Sequence, residues 1–252
     1  MAVDEALMCR ARDTGEWTMR VYTWSTPTLS FGRNQVARGG YELDVIRARG
    51  IDVVRRPTGG RAILHRREVT YSVTGPVDRA GDLRESYGRI NRLLVEGLRT
   101  LGVEGVMVAP AARDRRTTGD RPVYSRDHPG LMPCFDHPSL GEITVAGRKL
   151  AGSAQWRSEG GLLQHGSILV EDDQMHIASL LKDPGAPIPA PATLHGALGY
   201  APSASDVAEA LFDAVRRLED PTAAPLESDS ALAEHTRTAR VRYLDDCWTW
   251  RR

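Results

Sequence analysis

Apolar residues recur at Leu83, Tyr87, Ile90, Leu94, Leu98 and Leu101, at steps of three and four, and Gly102 follows. That period predicts a helix over 82–101. Weaker versions of the pattern predict helices over 3–12, over 41–49 ahead of Gly50, over 174–181 and over 230–244. Ser203 and Asp206 open a further helix, with Val207, Leu211, Val215 and Leu218 as its stripe. Short runs of β-branched and aromatic residues predict strands over 19–24, 28–31, 51–55, 62–64, 69–74, 103–108, 142–145, 148–151 and 162–170. Ser25-Thr26-Pro27 reads as a turn joining the first two strands, and Ala146-Gly147 as the turn of a hairpin. Residues 110–140 are polar and proline-punctuated, and a loop of that length inside a compact domain is functional or disordered. Residues 183–202 read as a second, proline-rich connector. Strands in groups with helices between them imply an α+β fold. We expect one domain over 1–252, with a mixed, largely antiparallel sheet and helices packed outside it.

Charge and composition narrow the function. Acidic and basic residues balance at 33 each, which argues against a global grip on nucleic acid or an anionic membrane. No run of about 18 apolar residues is present. Asp4, Glu5, Asp13 and Glu16 interrupt the first twenty residues, which do not resemble a secretory signal. Cys9, Cys134 and Cys247 are too few and too scattered for a disulfide framework. A cytoplasmic protein is expected. The cations carry a sharper signal. Nearly all are arginine, and only Lys149 and Lys182 are lysine. A lysine that persists against this bias is a candidate for ammonium chemistry, since arginine neither gives up its proton nor presents a compact charge.

Four segments carry candidate chemistry. In Arg55-Arg56-Pro57-Thr58-Gly59-Gly60-Arg61-Ala62-Ile63-Leu64-His65, a Gly-Gly turn lets backbone N–H groups approach a ligand, with Arg56 and Arg61 placed to grip an anion. Alone, the same turn suits a plain hairpin with solvated arginines. In Gly147-Arg148-Lys149-Leu150-Ala151-Gly152-Ser153-Ala154-Gln155, small residues follow Lys149 along a strand whose ammonium is expected to face a cleft. Gln164-His165-Gly166-Ser167 sets polar residues and a glycine where a core strand carries Val or Ile, although one buried histidine is ordinary. In Met132-Pro133-Cys134-Phe135-Asp136, a loop thiol precedes the lysine strand. Beside an ammonium it is a candidate nucleophile, and elsewhere an inert apolar filler.

In this order the segments resemble the signature blocks of the biotin/lipoate protein-ligase superfamily, on its lipoate side. Ala2-Val3-Asp4-Glu5-Ala6-Leu7, Leu29-Ser30-Phe31-Gly32-Arg33-Asn34-Gln35, Glu68-Val69-Thr70-Tyr71-Ser72-Val73 and Leu163-Gln164-His165-Gly166-Ser167-Ile168-Leu169 extend the likeness along nearly the whole chain. The resemblance implies the family's catalytic fold and one of two reactions. An octanoyltransferase takes the acyl group from octanoyl-acyl carrier protein through a cysteine thioester and needs no cofactor. A ligase uses ATP and magnesium to make a lipoyl-adenylate. The Pro-Cys-Phe-Asp block, the Gly-Gly-Arg form of the loop and the chain's length favour the transferase similar to the Gram-positive cysteine enzyme. That likeness implies Cys134 as nucleophile and Lys149 as its ammonium partner and carbonyl donor. Gly59, Gly60, Arg61, Gly152 and Ser153 would line the acyl pocket, with Arg56, His65 and His165 as further substrate-binding residues and no metal site. The implied acceptor is a lysine on a lipoyl carrier domain, either a glycine cleavage H protein or a dehydrogenase E2 subunit. Arg66 stands where family members often carry Asp, so His65 is expected to lack a carboxylate partner, which also keeps a non-catalytic paralogue in view. The chain opens inside the family's first-helix motif, so an N-terminal edge strand is expected to be missing.

Overall fold

The computed structural model describes residues 1–109, 135, 141–184 and 189–252. The elements in chain order are α1 (Ala2–Thr14), β1 (Thr18–Tyr22), β2 (Thr28–Phe31), α2 (Leu43–Ala48), β3 (Asp52–Arg55), β4 (Ile63–His65), β5 (Glu68–Pro76), α3 (Leu83–Thr100), β6 (Val106–Val108), β7 (Ile143–Val145), β8 (Arg148–Ser158), β9 (Gly161–Leu169), α4 (Leu194–Leu198), α5 (Ala204–Leu218), α6 (Ser230–Tyr243) and α7 (Asp246–Thr249). The class is α+β. Six strands form an antiparallel sheet in the order β1-β5-β9-β8-β7-β6. A second sheet, β3-β2-β4, pairs β2 with β3 in parallel and with β4 antiparallel.

The core follows from the apolar patterns. α3 starts in a capping box: the Asp82 carboxylate accepts from the N–H groups of Arg84 and Glu85, and Glu85 accepts from Asp82 N–H. Its buried residues Ile90, Leu94 and Leu98 join Leu211 of α5 and Ile143, Leu150 and Leu162 of the large sheet in the main core. α1 packs on β5 and β9. Around the small sheet, Leu29, Phe31 and Leu64 gather with Ile46 of α2 and Ile177 in a second core.

Four expectations need correction. β1 and β2 are not hairpin partners: β1 pairs with β5, Thr18 opposite Thr74, and β2 enters the other sheet. A Ser-Thr-Pro turn serves a hairpin and a change of sheet equally well. Residues 174–180 form 3₁₀ turns rather than an α-helix. β8 runs on to Ser158, well past the residue 151 at which the sequence reading stops. The connector at 183–202 contains the short helix α4, which Thr193 caps by accepting from Gly196 N–H.

Candidate active site

The glycine turn is held from below by two buried arginines. Arg55 donates to the carbonyls of Gly32 (2.7 Å), Gln35 (2.8 Å) and Thr249 (2.8 Å). Burial first, and then the neighbouring cations Arg251, Arg252 and Arg56, push its pKa down to about 10. Arg56 donates to Ser30 O (2.8 Å), Ser30 Oγ (2.6 Å), Gly59 O (3.2 Å) and Arg61 O (2.8 Å). It therefore fastens the turn as well as lining the pocket beside it. Gly32 comes so close to the turn that a Cβ there would sit 1.9 Å from Gly60 O. Only a glycine permits that backbone-to-backbone approach.

Above the turn lies a pocket of about 380 Å³. Gly59 and Gly60 form one wall, Gly152, Ser153 and Ala154 of β8 another, and His165, Gly166 and Ser167 of β9 a third. Ile63, His65 and Thr70 line it as well, with Arg56 and Met1. The pairing of Ser153 with Gly166 and of Ala154 with His165 sets these residues side by side. A Cβ on Gly166 would meet Tyr71 Cε1 at 2.7 Å, so the missing side chain makes room for the Tyr71 ring. The Tyr71 hydroxyl then reaches Ser153 Oγ at 2.6 Å.

His65 is not without a carboxylate. Its Nδ1 lies 3.1 Å from Glu68 Oε1, and its Nε2 lies 2.7 Å from Ser30 Oγ. Glu68 also accepts from the hydroxyls of Thr70 (2.7 Å) and Ser167. An ionised carboxylate only accepts, so the proton sits on Nδ1. Ser30 Oγ then accepts from Arg56 and donates a hydrogen bond to Nε2. Trp24 stacks on the imidazole, with ring centroids 4.3 Å apart, and donates to Thr70 Oγ1 (2.9 Å). The histidine is thus held from both edges and one face. The carboxylate that His65 was expected to lack is supplied by Glu68, three positions further on.

His165 is held differently. Its Nε2 lies 2.6 Å from Thr58 Oγ1, while Nδ1 has no hydrogen-bond partner among the described residues and stands 4.0 Å from Asp4 Oδ2. Burial lowers its pKa and outweighs the opposing pull of Asp4. Asp4 itself is fully buried and accepts from Arg20 (2.9 Å), Ser72 Oγ (2.8 Å) and the Tyr22 hydroxyl (3.2 Å). Burial alone would raise its pKa, but the chain amino group, His165 and Arg20 win and hold it far below the usual carboxylate range.

Lys149 is not among the residues that line the pocket at the glycine turn. It is buried at 2% exposure on β8, and its Nζ donates to Glu142 Oε1 at 2.5 Å. The Phe135 ring centroid lies 4.9 Å from Nζ. Phe135 also packs on Ile63, a wall of the pocket, and on Leu169. Tyr87 borders the same ion pair: burial first, then the Glu142 charge, raise its pKa, and Lys149 opposes them. Arg61 lies outside the pocket lining and contributes its carbonyl to Arg56. Cys134 lies outside the described residues. Sequence reasoning missed Ser30, Thr58, Glu68, Asp4 and Glu142. Thr58 adjoins Gly59, Glu68 lies three residues past His65 and Glu142 seven before Lys149, whereas Ser30 and Asp4 lie far in the chain from the residues that were singled out.

Residues 1–216 match the family described as the lipoyl protein ligase A/B catalytic domain. Octanoyltransferase LipM of Kyrpidia tusciae is 38% identical over 269 residues, covering 100% of this chain and 94% of that protein. Octanoyltransferase LipM of Symbiobacterium thermophilum is 43% identical over 187 residues, 73% of this chain and 65% of its own length. The homologue of that name from Carboxydothermus hydrogenoformans is 40% identical over 72% of this chain and 64% of its own length. Among solved structures, lipoate-protein ligase A bound with ATP superposes with a TM-score of 0.74 at 22% identity, over 99% of this chain and 92% of that one. The bi-partite lipoate protein ligase of Thermoplasma acidophilum gives 0.72 at 20% identity, over 99% and 89%. At these identities the structural likeness speaks for the fold.

Proposed function

The chain belongs to the lipoyl protein ligase A/B catalytic-domain family, and we propose that within it the protein is an octanoyltransferase acting through a cysteine thioester. The observation that carries this reading is the 38% identity, running the full length of the chain, to an octanoyltransferase. The donor is octanoyl-acyl carrier protein and the acceptor a lysine of a lipoyl carrier domain. The Cys134 thiolate attacks the donor's thioester carbonyl carbon. A new C–S bond forms, the donor's C–S bond breaks, and the departing thiolate takes a proton. The acceptor amine then attacks the Cys134 thioester, an amide forms, and the cysteine sulfur leaves. The amine's surplus proton passes to a base. No nucleotide is consumed, because the thioester already carries the activation.

The site residues fit these steps. The bare backbone at Gly59, Gly60 and Gly152 leaves space for the acyl thioester, and Ile63 adds an apolar wall. Phe135, the residue after Cys134, packs on that wall and under the Lys149 ammonium. Lys149 is the group that would donate to the carbonyl oxygen as negative charge develops. Its pairing with Glu142 qualifies the sequence reading. A lysine–glutamate pair has no net charge, so its field on a thiol falls off faster than that of a lone ammonium. Positioning a donor is therefore the larger part of its task. The test is intact mass after incubation with octanoyl-carrier protein and no ATP. The wild-type protein should gain a hydroxylamine-labile octanoyl adduct, and Cys134→Ser should not. Strict dependence on ATP with a free acid, and no adduct from the carrier, would refute the reading.

A further inference from the structure

A second groove, of about 760 Å³, opens beside the pocket and is lined by Arg33, Trp156, Trp248 and Arg242 among others. Its charge is unbalanced in a chain whose net charge is zero. Two acids face it, and both are engaged. Glu5 accepts from Arg242 (2.6 Å) and the Tyr243 hydroxyl (2.8 Å), and Glu159 pairs with Arg12 (3.5 Å). Arg33 instead stacks over Trp156 at 5.4 Å, and Arg251 over Trp248 at 4.2 Å. Among the described residues, no carboxylate lies within 4.0 Å of either guanidinium. Burial, followed by repulsion from Arg33, Arg252 and Arg242, lowers the pKa of Arg251, which marks positive charge gathered without an anion to offset it.

The groove is joined to the acyl pocket through backbone. Arg33 N–H donates to Thr58 O (2.7 Å), immediately before the Gly59-Gly60 turn, and the Arg251 guanidinium donates to Arg33 O. Along β8, Ala154 lines the pocket while Trp156 and Ser158 line the groove. Alternate residues of a strand share a face and stand about 6.8 Å apart. A chain leaving the pocket along this strand meets Arg33 in the groove lining, with Arg251 held beside it on the Trp248 ring and by its bond to Arg33 O.

We infer that Arg33 and Arg251, walled by Trp156 and Trp248, bind the phosphate of a phosphopantetheinyl thioester donor. This rests on the transferase reading, in which the acyl group arrives on that arm. Planar guanidinium groups take phosphate oxygens in pairs, and each fork here lies over a tryptophan ring. The arm's phosphodiester then fixes how deep the thioester enters the pocket. The site reads the arm rather than the carrier's protein surface.

The experiment compares two non-transferable thioether probes, octanoyl-phosphopantetheine and octanoyl-pantetheine, which differ only in the phosphate. Their dissociation constants are measured by calorimetry on the full chain. The wild-type protein should bind the phosphorylated probe at least tenfold more tightly, about 1.4 kcal/mol. In Arg33→Gln, and separately in Arg251→Gln, that ratio should fall to below threefold. Each ratio is internal to one protein, so a loss of general affinity cancels, and the second variant serves if the first fails to fold. Equal affinities in the wild type, or a tenfold ratio that survives both substitutions, would overturn the inference. A preserved ratio in a protein that forms no acyl adduct with octanoyl-carrier protein would instead sink the transferase reading.

Discussion

Replacing Gly32 with alanine should unseat the glycine turn, and the structure sets the scale of the damage. The new Cβ would stand 1.9 Å from Gly60 O, 2.8 Å from Gly60 C and 3.1 Å from Gly59 C. Cβ atoms do not approach other heavy atoms closer than about 3.0 Å, so one backbone must retreat by about 1 Å. Neither has freedom to do so. Gly32 N–H is bound to Gln35 Oε1 (3.1 Å) and Gly32 O to Arg55, while Arg56 grips Gly59 O from the other side. Overpacking of this kind costs about 1–3 kcal/mol. For a chain of this size each kilocalorie lowers Tm by roughly 2–4 °C. Misplacing a binding loop by 1 Å costs on the order of 10²-fold in turnover. Gly59→Ala is the matched control. A Cβ there meets nothing within 4 Å, yet Gly59 lines the pocket. It should keep the wild-type Tm and lose octanoyl transfer, because the methyl occupies substrate space. Thermal unfolding alongside a transfer assay reads both variants. Equal melting temperatures for Gly32→Ala and Gly59→Ala would refute the steric reasoning.

Perturbations at Lys149 and at Asp4 test the electrostatics. Lys149→Ala should raise the Cys134 pKa, read from the pH dependence of iodoacetamide alkylation, because it removes an ammonium and leaves the Glu142 carboxylate unbalanced. Adding Glu142→Gln should recover part of the shift, and an unchanged profile in Lys149→Ala would show that the pair does not reach the thiol. Lys149→Arg should cost roughly 10²-fold in kcat, the loss of one oxyanion donor. Asp4→Asn should destabilise the fold at neutral pH by about 3 kcal/mol, as breaking a buried ion pair does. The folded-state pKa of Asp4 is depressed, so its contribution is present above the unfolded value near 4 and is lost as pH falls below it. Denaturant titrations should therefore show a wild-type advantage that is flat from pH 7 to 5 and shrinks below pH 4.

The sequence made the site's backbone legible and left much of its wiring unread. Gly152 and His165 declared themselves because glycine and histidine are out of character in a buried strand, whereas Gly59 and Gly60, ordinary in a turn, stood out only through the segments that accompany them. Lys149 stood out by surviving among arginines. Glu142, seven residues earlier, was its partner all along, but one acid near one lysine is too common a pattern to single out. Asp4 and His165 are 161 positions apart in the chain, and Ser30 and His65 are 35. Such pairs follow from strand order, which local periodicity does not encode. The division into two sheets was hidden for the same reason. The 3₁₀ turns at 174–180 carry an apolar spacing that an α-helix would share.

The Arg55 clamp has a consequence for how the protein is made. One of its acceptors, Thr249 O, lies 194 residues downstream, and Arg252 O receives the N–H groups of both Ala37 and Arg38. At roughly 5–20 residues per second, a ribosome delivers residue 249 about 10–40 s after residue 55. Throughout that interval the floor beneath the glycine turn stays open, and a polypeptide emerging from the tunnel holds a half-built pocket. The glycine turn therefore gains its last support only once residues 249 and 252 have been made, however early its own strands have paired.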